Sequence, residues 1–123
     1  DGNGYLMSPD ATYYVSLHTA DPGDTGTNEL PSTNGYARKS YTTSGGWNAA
    51  SGGSTSNNGS ITFAAASGGD WATATHFGVW NNSAGTSANF MLGGALTSSV
   101  TCTDGDAVQF LGGTPGALVI TCT

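Results

Sequence analysis

The chain has 123 residues, enough for one compact domain and too few for two conventional ones. Glycine, serine and threonine supply 20, 14 and 18 residues, or 52 of the 123 positions, and so many poor helix formers exclude an architecture of long helices. One Lys and one Arg stand against seven Asp and one Glu, for a net charge of -6; such a chain does not hold a phosphate backbone, so no nucleic-acid partner is expected.

The apolar fraction of 37% is low, yet three Trp, five Tyr and four Phe provide the bulk for a thin β core that a disordered chain lacks. No apolar run approaches the roughly 18 residues of a membrane helix, so no membrane partner is expected either.

Residues 1–10 are polar, with Tyr5, Leu6 and Met7 as their large apolar group, and read as an N-terminal arm. The first strand runs from Ala11 to His18, where Tyr13, Val15 and Leu17 alternate with Tyr14, Ser16 and His18. Asp21 to Gly35 then holds two Pro and three Gly among Asx residues, the punctuation of a long ordered loop. Tyr36 to Thr43 resumes β-prone residues, and the polar stretch Ser51 to Asn58 reads as a surface loop.

Beyond it, Ile61, Phe63 and Ala65 share one parity. After the turn at Gly68-Gly69-Asp70 comes WATATHFGVW, where Phe77 and Val79 oppose His76 and Trp80. Phe90 and Leu92 open a further extended stretch that Gly93 and Gly94 interrupt, as at a bulge or bend. The last third alternates so that Val100, Cys102, Val108, Phe110, Leu118, Ile120 and Cys122 face one core. Seven or eight short strands at this spacing predict an all-β fold, an antiparallel β-sandwich of jelly-roll type with long loops and little helix. One such domain is expected over residues 11–123.

Cys102 and Cys122 share the parity of their apolar neighbours. They suit either a disulfide closing a loop of about 20 residues and contributing on the order of 2 to 4 kcal/mol, or two buried thiols packing as small hydrophobes.

Chemistry-bearing constellations are sparse. His18, Asp21, Asp24 and Glu29 form the densest ionisable group, but they lack the spacing of a calcium loop. Carboxylates before Pro22 and Thr25-Gly26 suit turn closure better than a metal, and none is expected. No motif singles out a glycosidase carboxylate pair. Nucleophile elbows, paired-cysteine motifs and phosphate loops are absent, so neither an enzyme nor a cofactor is expected. Trp47, Trp71, Trp80, Tyr14 and Tyr41 could stack sugars, or equally pack a core and subunit contacts.

The segments ATYYVSLHTADPGDTGTNEL, GYARKSYT, ITFAAASGGDWATATHFGVW and GGALTS, in this order, resemble a family of small tailed-phage virion proteins of the tail-fibre-like or capsid-decoration type. The resemblance covers most of Ala11 to Thr121. It implies a non-enzymatic β-sandwich on the outer capsid surface, a cement protein binding the major capsid protein and copies of itself, as a trimer by analogy with other decorations. Two alternatives accompany it, a tail-fibre or tail-associated protein with a receptor- or carbohydrate-binding role, and a subunit of an extracellular filament.

On this reading Leu17, Tyr36, Ile61, Phe63, Phe77, Val79, Phe110, Leu118 and Ile120 build the core. Asp21 to Asn34 and Ser51 to Gly59 face partners, and Asp21, Asp24, Glu29, Trp47, His76 and Trp80 are the side chains expected to do so.

Overall fold

A computed structural model describes residues 12–42, 54–56, 60–84, 87–110 and 119–121. The arm over 1–10, Trp47, Leu118 and Cys122 lie outside the described residues.

Among the described residues eight strands account for nearly all the regular structure: β1 (Thr12–His18), β2 (Lys39–Thr42), β3 (Ser54–Ser56), β4 (Ile61–Thr62), β5 (Trp71–Trp80), β6 (Phe90–Cys102), β7 (Gln109–Phe110) and β8 (Val119–Thr121). The described helix is one 3-10 turn at Ser87–Asn89. All pairings are antiparallel. A four-stranded sheet in the order β2-β1-β5-β6 is accompanied by two two-stranded ribbons, β4–β7 and β3–β8. The fold is therefore all-β and sandwich-like, as the spacing of turn residues predicts.

The core lies between the large sheet and the β4–β7 ribbon. Tyr13, Val15 and Leu17 alternate inward from β1, with Phe77 and Val79 beside them on β5, and Ile61, Phe63, Val108 and Phe110 close over them. Two register shifts along β5 bracket Ala74, so Trp71, Ala74 and Phe77 all reach the same interior although each stands three positions from the next. Phe63 is the centre of an aromatic cluster, with Tyr36, Trp71 and Phe110 at ring-centroid distances of 6.3, 6.4 and 6.3 Å. Leu17, Tyr36, Ile61, Phe63, Phe77, Val79 and Phe110 are all buried, in agreement with the sequence pattern.

Gly93 and Gly94 do not interrupt the chain as expected. Both pair in register within β6, opposite Gly78 and Phe77, and the register shifts fall on either side of them, between Ala74 and His76 and between Val79 and Trp80. The glycines serve clearance instead, since a Cβ on Gly93 would come within 2.6 Å of Pro22 Cγ. The loop after β1 lies that close to the sheet.

Candidate functional site

The side of the sheet turned away from the core is also covered. Ser16 and His18 are wholly buried and Trp80 is 3% exposed, because residues 19–38 fold back over them. The loop's own chemistry builds this cover. Asp21 Oδ1 accepts the Gly23 N–H at 2.9 Å, and the Pro22 carbonyl accepts from Gly26 at 3.0 Å and Thr27 at 3.1 Å. Gly26, at φ 77°, sits where any Cβ would strike the Trp80 ring. Leu30 then donates its N–H to the Leu17 carbonyl at 3.0 Å and enters the main core.

Beneath the loop runs a chain of hydrogen bonds whose direction is fixed. Trp80 Nε1 can only donate, and it does so to Ser16 Oγ at 2.7 Å. The Thr27 carbonyl can only accept, so His18 Nδ1, 2.7 Å away, carries a proton. In the neutral ring Nε2 is then bare, and the Ser16 hydroxyl donates to it at 2.7 Å. Burial lowers the His18 pKa from its ordinary value, aided by electrostatic repulsion from Arg38 and His76 and opposed by the Thr27 bond and Glu29. Gly78 is required here, since its Cβ would fall 2.6 Å from Ser16 Oγ and 2.7 Å from His18 Nε2.

The only arginine and the only glutamate of the sequence close the edge of this layer. Arg38 donates Nε and Nη2 to the two carboxylate oxygens of Glu29 at 3.0 and 2.8 Å, a bidentate fork. Its Nη1 donates to the Asn82 carbonyl at 3.0 Å, and its guanidinium lies 3.4 Å from the centre of the Trp80 ring. Tyr36 donates its hydroxyl to Glu29 at 2.9 Å and accepts the Leu17 N–H at 3.0 Å. Burial and the Glu29 charge push the Tyr36 pKa upward. Glu29, Ser32, Arg38 and Ser83 line a shallow open cavity of about 360 Å³.

This arrangement binds the loop to the sheet and offers no reactive group. The Ser16–His18 pair resembles a hydrolytic dyad in spacing alone, since neither residue reaches solvent and a carbonyl stands where a carboxylate would orient the imidazole. Among the described residues no three His, Cys, Asp or Glu side chains converge as metal ligands.

The residues expected to face partners divide. Asp21 and Asp24 are exposed on the loop, Glu29 is half-buried in its fork with Arg38, and His76 is half-buried with Nδ1 2.8 Å from Thr75 Oγ1. Trp80 is corrected: it lies inside the reverse layer, because the loop covers what alternation alone left outside. Trp71 is also buried, so neither of these two tryptophans belongs to a sugar platform. Cys102 is a buried free thiol, 3.2 Å from the Asp106 carbonyl, and burial raises its pKa.

The sequence pattern does not mark Ser16, Tyr36 or Arg38 as site residues. For Arg38 a signal is present: the lone Arg of the chain follows the turn-rich loop that holds its lone Glu, nine residues away, and the two are each other's opposite charge when both leave water.

No curated protein matches the chain. A family model described as podophage GP4 fiber I protein gp80 matches residues 3–118. The chain belongs to that family and is a structural protein of a tailed-phage virion, not an enzyme.

Proposed function

We propose that the chain is a structural subunit of a tail fibre, stationed in the virion tail and not on the outer capsid surface. The match to a fibre-protein family over residues 3–118 carries this reading. The surface chemistry supports an assembly role. Asp21, Asp24, Asp70, Asp104 and Asp106 are exposed, whereas Arg38 is matched by Glu29 and leaves Lys39 as the exposed base. Partners of this protein, further fibre or tail components and copies of the chain itself, meet it through small polar residues and basic patches that complement its acidic loops.

Electron cryomicroscopy of the native particle tests the proposal. Density fitting this sandwich within a tail appendage is the expected result. Density straddling capsomer junctions would overturn it in favour of a cement protein, and a helical array of the chain apart from any particle would favour a filament subunit.

A further inference from the structure

We infer that residues 19–28 form an acid-released flap: protonation of His18 at Nε2 loosens this segment from the reverse face of the sheet while the main core stays closed. This goes beyond the fibre reading and is independent of where the subunit sits in the virion.

The argument begins with how the flap is attached. Most of its hydrogen bonds are internal, including Thr19 N–H to the Asn28 carbonyl at 2.9 Å, the Pro22 carbonyl to Gly26 and Thr27, and Asn28 Nδ2 to the Asp21 carbonyl at 3.0 Å. These bonds shape the segment without tying it to the sheet, and once it lifts into water they open readily. Its polar tie to the buried layer is Thr27 to His18, and its apolar underside is Pro22 and Gly26, packed toward Phe90, Gly93 and Trp80. On either side the chain is held independently. Thr75 Oγ1 donates to the Thr19 carbonyl at 3.0 Å, and Leu30 and Tyr36 are buried in the main core. Thr19 and Glu29 are therefore natural hinges.

The buried bond chain is fully satisfied in one protonation state. A proton on Nε2 takes away the acceptor of the Ser16 hydroxyl: Oγ then receives both the Trp80 and the His18 N–H, and its own buried hydrogen loses its partner. The new cation lies in a layer that already holds the Arg38 guanidinium against Trp80, with His76 paired opposite His18 on β5. The opposing carboxylate, Glu29, has both oxygens engaged by Arg38 and one of them also by Tyr36. Opening returns the imidazole to water, where its pKa recovers its ordinary value of 6.5.

The sign follows. The closed flap holds a neutral His18 with a lowered pKa, so closure is at full strength above pH 6.5. It weakens as pH falls below that value, by close to tenfold in the opening constant per pH unit, until the lowered pKa is passed. Release uncovers Trp80 and Phe90.

Hydrogen exchange on the full chain, followed residue by residue from pH 7.5 to pH 5 and corrected for intrinsic rates, tests this. In the wild type the amides of Thr19, Gly26 and Thr27 are expected to lose protection in acid, while the β1–β5 ladder keeps its own. His18→Gln supplies an N–H for Thr27 and a carbonyl for Ser16 without a titrating ring, and its flap is expected to stay protected throughout. Flap protection independent of pH in the wild type, an equal acid loss in the Gln variant, or simultaneous loss in flap and ladder would each overturn the inference. Should the variant not fold, an NMR titration of wild-type His18 decides. Imidazole protonation coincident with flap opening supports the proposal, and protonation without opening refutes it.

Discussion

The two faces of the four-stranded sheet are both dry, but they are dry for different reasons. On the core face Phe63, Phe77, Leu17, Ile61, Val15 and Val79 exclude water by packing apolar surface, an interaction without direction that degrades gradually when atoms are removed. On the reverse face Ser16, His18 and Trp80 are equally buried, yet each polar atom depends on a particular partner. Loss of one partner strands another group away from water. One face tolerates approximations in shape, whereas the other tolerates few in chemistry and responds to pH.

The largest expected effect lies on the core face. Phe63→Ala removes the ring that Tyr36, Trp71 and Phe110 all contact and should cost about 3 to 5 kcal/mol. Equilibrium urea unfolding checks it, and in a chain of this size a loss of that order takes a large share of total stability. A cost below about 1 kcal/mol would mean that the main core does not carry the fold.

On the reverse face the largest effect is expected from Gly26→Ala. The added methyl meets Trp80 and Phe90 side chains at a residue whose φ is 77°, combining left-handed strain of about 1 kcal/mol with overpacking of about 1 to 3 kcal/mol. The same unfolding measurement applies, with near-ultraviolet circular dichroism reporting the displaced indole. Ser16→Ala comes next. It leaves the Trp80 N–H and the bare His18 Nε2 without partners, at a cost of about 1 to 3 kcal/mol, although it removes a single oxygen. A neutral result for Ser16→Ala would show that the bond chain is incidental and would erase the contrast between the faces.

The core face was legible in the sequence and the reverse face was not, for a physical reason. Alternation in TYYVSLH and in HFGVW reports which residues share a side, and Leu17, Phe77 and Val79 declare that side apolar. It is silent on whether the opposite side meets water or a returning loop. The loop itself could be read from its Pro, Gly and Asx residues, but its destination depended on clearances at Gly26, Gly78 and Gly93 that composition does not encode. Alternation sets Trp80 outside for that reason and leaves His18 as a member of the ionisable group with Asp21, Asp24 and Glu29, whereas the structure makes it the centre of a buried bond chain. Among the acids, Asp21 closes its turn on Gly23, as its place before Pro22 predicts. Asp104 accepts from Gly68 and Asp70 from the Asp104 N–H across 36 and 34 residues, bonds between two turns that local spacing does not announce.

The smallest expected effect sharpens the comparison by isolating backbone from packing. Gly23 and Gly26 belong to the same flap and both adopt left-handed conformations, at φ 60° and 77°, but a Cβ on Gly23 meets nothing within 4 Å. Asn tolerates that conformation better than other side chains, so Gly23→Asn should change stability by no more than about 0.5 kcal/mol. Gly23→Ala should cost about 1 kcal/mol from conformation alone. Parallel urea titrations of these variants and Gly26→Ala separate strain from collision. If Gly23→Ala proves as damaging as Gly26→Ala, the close approach of the flap to Trp80 contributes nothing to its placement, and the reverse layer is held by backbone geometry and not by contact.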